Sequence, residues 1–266
     1  MPIVLSSPIV IYGQEAFHAV DKVVTGCAFD IYNAMGRFFD ERLYQAELEA
    51  HLTDRGLSVE REMKIVLTLD GFTRDYFVDL LINGGVIVET KAAETLTPAH
   101  RAQVLNYLYL VGLYHATLLN FRTERVEHEF VSTTLTPALR RRITWNLAGW
   151  QPLCPGCEIL HDTLRRVLGD WGSGLAPALY RDAISHFLGG EAEVVREVAI
   201  GSMHGNIGTQ KIHQLADDIA FSVTASAHRP DRVEEHQRRF IQHTRLRALQ
   251  WVNVYRQTVT LQTIQP

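Results

Sequence analysis

The sequence predicts a mixed α/β fold present twice in tandem. Helical apolar spacing gives way to alternating runs broken by tight-turn residues. The order of the first half reads ααβββαββ, and similar text returns at an offset of roughly 133–136 residues.

Val20, Val23, Val24, Cys27, Ile31 and Met35 recur at helical spacing, giving one apolar face over about 16–35. A second helix is expected from about 41 to 55, closed by Gly56, a good C-cap residue. Val59–Leu69 is strand-like and ends at Asp70-Gly71, a strong hairpin signal. Thr73–Ile82 follows, then Asn83-Gly84-Gly85 and Val86–Lys91, so three strands form an antiparallel meander. Pro98 opens a helix over about 98–111, a position proline tolerates. Strands at about 115–121 and 126–133 complete the half.

The second half repeats this text. Leu43-Tyr44-Gln45-Ala46-Glu47 matches Leu179-Tyr180-Arg181-Asp182-Ala183, and His100-Arg101-Ala102-Gln103 matches His236-Gln237-Arg238-Arg239. The Gly, Pro, Trp and Cys content of Leu147–Glu158 reads as a linker. The expected organisation is therefore a domain over 1–136, a linker over 137–158 and a repeat over 159–266.

With 46% hydrophobic and 21% charged residues, the composition excludes collagen-like, mucin-like and intrinsically disordered chains. The N-terminal text lacks a basic region, and no window approaches about 18 uncharged apolar residues, so neither a signal peptide nor a membrane partner is expected. Three cysteines fit a reducing, cytoplasmic setting. The net charge of −4 argues against a nucleic-acid partner only until it is divided. Residues 1–136 carry 11 basic and 18 acidic side chains; residues 137–266 carry 15 and 12.

The chemistry-bearing segment is Val86-Ile87-Val88-Glu89-Thr90-Lys91. Strand side chains alternate, so Glu89 and Lys91 project together from an otherwise apolar strand. Asp79, in the apolar run Phe77–Ile82, is folded back toward Glu89 by the Asn83-Gly84-Gly85 turn. Glu41 begins the second helix, and Gln103 and Tyr107 share one face of the third. Buried acids are costly unless paired or bound to a cation. Acids converging with one lysine suit a hard divalent ion such as Mg²⁺, with Lys91 as a point charge near a phosphate or an attacking water.

Residues from about 18 to 135 resemble the GxxExxY family of the PD-(D/E)xK nuclease superfamily. The matching text is Phe38–Tyr44, Phe77–Leu81, Val86–Ala92, Leu96–Leu108, Gly112-Leu113 and Leu118–Phe121. The motif's Glu41 and Tyr44 are intact; its glycine position holds Phe38, with Gly36 two residues earlier. The resemblance implies a restriction-endonuclease-like mixed sheet flanked by helices and a metal-dependent phosphodiesterase acting on nucleic acid, DNA favoured over RNA. It implies that Asp79, Glu89 and the Thr90 carbonyl coordinate Mg²⁺ or Mn²⁺, with Glu41 completing the shell or orienting water. Lys91 would then stabilise the nucleophile or the developing charge, while Gln103 and Tyr107 orient ligands or touch the phosphate.

In the repeat, Glu41 falls on Pro177, with Gly174 and Tyr180 restoring the motif's flanks. Ile219–Thr224 and Lys211–Ala216 lack the acids and the lysine, so the second half reads as a catalytically dead copy. Its excess positive charge is concentrated in Arg140-Arg141-Arg142 and along Arg232, Arg238, Arg239, Arg245, Arg247 and Arg256, and the sequence leaves open whether Arg238, Arg245 and His228-Arg229 share a face. Arg238, Arg239 and Arg245 are the candidate nucleic-acid contacts, against the plainer reading of a solvated helix face. Cys154-Pro155-Gly156-Cys157 with His161 stands open between a structural loop, half a zinc site and a redox pair. The alternative to a nuclease is a non-catalytic nucleic-acid-binding or assembly module. A homo-oligomer or a helper protein, such as a translocase, would be a further partner.

Overall fold

The computed structural model describes residues 3–226 and 230–266. The chain divides into two compact units, Met1–Thr136 and Pro137–Pro266.

In the first unit the elements run β1 (Ile3–Leu5), α1 (Gln14–Met35), α2 (Glu41–Asp54), β2 (Val59–Leu69), β3 (Phe72–Ile82), β4 (Val86–Lys91), α3 (Pro98–Val111), β5 (His115–Asn120) and β6 (Glu127–Ser132). They build one six-stranded sheet in the order β1-β2-β3-β4-β5-β6. Its neighbours are antiparallel except β4 and β5, which the α3 crossover makes parallel. Thr97 caps α3 in a capping box with His100, and Pro98 takes the first turn, where its missing N–H costs nothing. At the β3–β4 hairpin, Asn83 and Gly84 both adopt positive φ (49° and 67°), the tight-turn conformation that asparagine and glycine tolerate. Gly85 is required there for another reason: a Cβ would stand 2.4 Å from the Val10 carbonyl.

The apolar faces of α1 and α2, including Val24, Ile31, Tyr44 and Leu48, pack on Leu80, Ile82, Val86 and Val88. The first five residues of β4 are all buried, as in a central strand covered on both faces. Any charged side chain on that strand is therefore taken out of water.

The second unit runs α4 (Pro137–Arg140), β7 (Thr144–Gly149), α5 (Pro155–Trp171), α6 (Pro177–Phe187), α7 (Glu191–Val194), β8 (Val195–Ser202), β9 (Gly205–Ala216), β10 (Ile219–Thr224), α8 (Pro230–Gln242), β11 (Ala248–Tyr255) and β12 (Thr258–Ile264). Its sheet order is β7-β12-β11-β10-β9-β8. From β8 to β12 the sequence of antiparallel, antiparallel, parallel and antiparallel pairings repeats that of β2 to β6. The long helix pairs α1–α2 and α5–α6 precede the two sets, with the one-turn α7 added before β8, and one helix crosses over in each. The fold is thus mixed α/β, with two six-stranded mixed sheets flanked by helices. The units differ in their extra strand: β1 adds beside β2, whereas β7 adds parallel to β12 at the opposite edge.

Two expectations are corrected. The stretch 137–158 is no linker: β7 is part of the second sheet, and α5 begins at Pro155. The Cys-Pro-Gly-Cys text marks a helix start, with Cys154 at the N-cap, Pro155 in the first turn and Gly156 where a Cβ would meet the Leu215 carbonyl at 2.7 Å. Arg140 is not a surface cation. It is buried, donating to the Trp171 and Ser173 carbonyls at 2.8 and 2.6 Å, where it satisfies the C-terminal end of α5. Among the described residues no helix is long and apolar enough to cross a membrane.

Candidate active site

The site lies where β3 parts from β4. Between the β2–β3 pairs Arg61↔Leu80 and Met63↔Val78, Glu62 takes φ 51°, an uncommon conformation for a side chain of this type. On the other side the β3–β4 ladder runs from Ile82↔Val86 only to Leu80↔Val88. Asp79 comes next, and its carboxylate replaces the missing ladder acceptor: Oδ2 accepts the Thr90 N–H at 2.8 Å and the Thr90 hydroxyl at 2.9 Å. The turn thus brings Asp79 to β4, as its spacing suggested.

Glu89 is fully buried. Its Oε1 accepts from Lys91 Nζ and from Gln103 Nε2, each at 2.7 Å, while its Oε2 is buried without a hydrogen-bond partner. Lys91 Nζ also donates to the Thr90 carbonyl at 2.9 Å and stands 3.7 Å from Glu41. Glu41, at the start of α2, accepts the Ala92 N–H at 3.3 Å. Tyr107 lies beyond Gln103, which donates to its hydroxyl at 3.0 Å. The structure therefore gathers Glu41, Asp79, Glu89, Thr90, Lys91, Gln103 and Tyr107 in one place, at the C-terminal end of β4. Tyr107 is itself buried.

Burial and then the Asp79 charge push the Glu89 carboxyl up to about 8, against the pull of Lys91. Burial likewise raises Glu41, with Lys91 opposing and Asp79 reinforcing. For Lys91 burial disfavours the charge, but Glu89, Asp79 and Glu41 outweigh it and the ammonium is held more firmly than usual. Burial and Glu89 push the Tyr107 phenol up to about 12. With one cation among three acids in a dry place, Glu89 and Glu41 hold their protons more firmly than free carboxyls do.

Two positioning residues were not anticipated. Gln45 donates to the Thr90 hydroxyl at 2.9 Å, fixing the residue whose N–H and hydroxyl hold Asp79. Asn120 grips Ala93 in both directions, accepting its N–H at 3.0 Å and donating to its carbonyl at 2.8 Å, which ties β5 to the exit of β4. Both lie inside text that matched across the repeat or the family, which was the available signal. The Tyr44 hydroxyl donates to the Gly36 carbonyl at 2.7 Å, and the Tyr44 ring stacks on Phe121 with centroids 4.4 Å apart.

The donor set suits a hard cation, since carboxylates and a strand carbonyl are oxygen ligands and Glu89 Oε2 is an orphan in need of one. Among the described residues, however, no three His, Cys, Asp or Glu side chains gather as a ready metal-holding group. The cause is visible: Asp79 is turned onto Thr90, and the Lys91 ammonium occupies the space between the Glu89 and Glu41 carboxylates.

The second unit reproduces the scaffold of the site without its acids. Tyr180 donates to the Gly172 carbonyl at 2.7 Å, as Tyr44 does to Gly36. Asn253 grips Ser226 in both directions, as Asn120 grips Ala93. Gln237 donates to Ser222 Oγ at 2.9 Å, as Gln103 donates to Glu89, so Gln237 and not the expected Arg239 is the counterpart of Gln103. Through the registers Thr224↔Asn253 and Lys91↔Asn120, Thr224 stands in the place of Lys91 and Ser222 in that of Glu89.

Of the expected nucleic-acid contacts, Arg238 and Arg239 on α8 are each ion-paired with a glutamate one turn earlier, Glu234 and Glu235. Arg245, in the loop before β11, lines a separate cavity at the β8–β9 hairpin. His228 and Arg229 lie outside the described residues. Cys154 and Cys157 are both free, their sulfurs 3.5 Å apart, and His161 instead stacks on Trp150.

Residues 18–132 match a family model described as the PD-(D/E)XK nuclease superfamily. Among solved structures, a chain described as "Crystal structure of SSO0001" is similar at 15% identity, over 47% of this chain and 61% of that one, with a TM-score of 0.29. No curated protein matches the sequence.

Proposed function

We propose that the first unit, matched over residues 18–132 by the nuclease superfamily, is a divalent-metal-dependent phosphodiesterase acting on nucleic acid, with DNA as the favoured substrate. The observation that carries this reading is the convergence of Asp79, Glu89 and Lys91 where β3 splays from β4, with a fully buried carboxylate oxygen left unpartnered. Asp79, Glu89, the Thr90 carbonyl and Glu41 are the residues that would hold Mg²⁺ or Mn²⁺. Such an ion, when bound, lowers the pKa of water and neutralises charge in phosphoryl displacement. Lys91 keeps its proton and offers a fixed positive charge to a phosphate oxygen or the attacking water. Gln103 holds Glu89 in one orientation, and Gln45 holds Thr90, so neither must reorganise during reaction. The second unit is read as an inactive copy, with Pro177, Ser222 and Thr224 in the places of Glu41, Glu89 and Lys91.

The Lys91 ammonium between the acids favours one second reading, a module that binds nucleic acid without cutting it. An assay on labelled single-stranded, double-stranded and branched substrates, with Mg²⁺, Mn²⁺ or EDTA, separates the two. Cleavage in metal that is lost in Lys91→Ala supports the nuclease; salt-dependent binding with no turnover on any substrate supports the module.

A further inference from the structure

The cleft of the second unit that corresponds to the acid site of the first has kept its walls and lost its acids. A cavity of ≈ 470 Å³ opens there over β9 and β10 and beneath α8. Gln237 and Ser222, counterparts of Gln103 and Glu89, line it. Arg181 also lines it, and it directly follows Tyr180 as Gln45 follows Tyr44. Lys211, His213 and His236 add to the polar rim, and among the described residues no carboxylate lines the cavity.

Two polar atoms in this wall are buried and lack a hydrogen-bond partner: Arg181 Nε, a donor, and Gln237 Oε1, an acceptor. Buried groups of this kind are normally satisfied, so each marks a place for a ligand atom of opposite character. Three acids stand around the rim without lining it. Asp182 pairs with Arg181 through Nη2 at 3.2 Å and leaves Nε open; Asp182 and Glu191 both act on His213 through their charge; and Glu197 lies opposite Lys211 across the β8–β9 ladder. Phe221 and Phe240 supply an apolar wall. The volume falls within the roughly 300–1,000 Å³ of small-molecule sites.

We infer that this cleft binds a nucleotide, its phosphate held by Arg181 and Lys211 and its base set against the apolar wall beside Gln237. An anion answers the guanidinium and ammonium, a base N–H answers Gln237 Oε1, and a base face answers the aromatic rings. A free mononucleotide and a nucleotide of a strand share this chemistry. The inference deepens the reading of the chain as acting on nucleic acid, for it gives the inactive unit the task of holding the same substrate class.

The test uses the full chain in EDTA, so that no cleavage intervenes, with a fluorescent single-stranded oligonucleotide followed by anisotropy. Deoxyadenosine monophosphate, deoxyadenosine and inorganic phosphate serve as competitors. Lys211→Glu and His236→Glu alter exposed side chains and should each weaken oligonucleotide binding 10-fold or more. The mononucleotide should compete at least 10-fold better than either the nucleoside or phosphate. Unchanged affinity in both variants overturns the inference, as does a nucleoside or phosphate that competes as well as the mononucleotide. A strand that competes while the mononucleotide does not would also overturn it, by placing recognition along the backbone instead. If the wild-type chain cuts nothing in Mg²⁺ or Mn²⁺ yet binds in this pattern, the nuclease reading fails and the nucleotide site stands.

Discussion

Replacing Glu89 by glutamine should make the first unit more stable at high pH. Its carboxyl is fully buried, with a pKa moved from 4.5 to about 8, a shift corresponding to roughly 5 kcal/mol. The folded pKa lies above the unfolded one, so this cost is absent below about pH 4.5, grows as the pH rises and is complete above about 8. Glutamine retains an oxygen for Lys91 Nζ and Gln103 Nε2, and the raised pKa is already net of the Lys91 attraction. The expectation for Glu89→Gln is a gain of about 4 kcal/mol at pH 8 and almost none at pH 4.5. All four tryptophans lie beyond residue 136, so fluorescence would report on the wrong unit. Hydrogen exchange of peptides from β3 to β5, variant against wild type at each pH, reads the right one. Protection in the variant equal to or below wild type at pH 8 would refute the reasoning that Glu89 is held at the expense of stability.

Asp79→Asn should fold normally, because an amide oxygen can still accept from Thr90, yet cleavage should fall on the order of 10³-fold or more in a single-turnover assay. Asp21 accepts from Thr117 and His128 in the first unit. Burial raises the Asp21 pKa but these bonds outweigh it and leave it lowered, while the Asp21 bond, against burial, raises His128. The pair's stabilisation is therefore lost as the pH falls through the lowered Asp21 pKa and again as it rises through the raised His128 pKa. In Asp21→Asn, hydrogen exchange should show a loss of about 1–3 kcal/mol that is greatest between those two limits. Tyr44→Phe and Tyr180→Phe each remove one bond to a glycine carbonyl, and each should cost its own unit about 1–2 kcal/mol by hydrogen exchange. A large cost in one unit alone would show that the two tyrosines do different structural work.

Much of the first unit could be read from sequence because its local signals agree. The alternation of Val59–Leu69 and the Asp70-Gly71 and Asn83-Gly84 turns left little freedom for the meander, and the structure places β2 to β4 there. The three-residue β1 escaped because so short a run has no period and exists only by pairing with β2. Cys154–Cys157 was read as loop text because proline and glycine usually signal one; here they serve a helix start pressed against Leu215. Arg140 was read as surface charge because burial of a guanidinium depends on carbonyls more than thirty residues away. At the site, alternation alone placed Glu89 with Lys91, and the hairpin turn placed Asp79. Gln45 was silent because its role depends on the packing of α2 against β4. The Lys91 ammonium between the acids was likewise invisible in the spacing.

The most direct test of the central claim is the single-turnover cleavage rate of a labelled DNA strand measured against Mg²⁺ concentration, for the wild type, Lys91→Ala and Lys211→Glu. A metal-dependent rate that disappears in Lys91→Ala, and in Lys211→Glu survives at saturating enzyme, is the expected result. A rate that persists in EDTA or in Lys91→Ala would contradict the assignment of catalysis to the first unit.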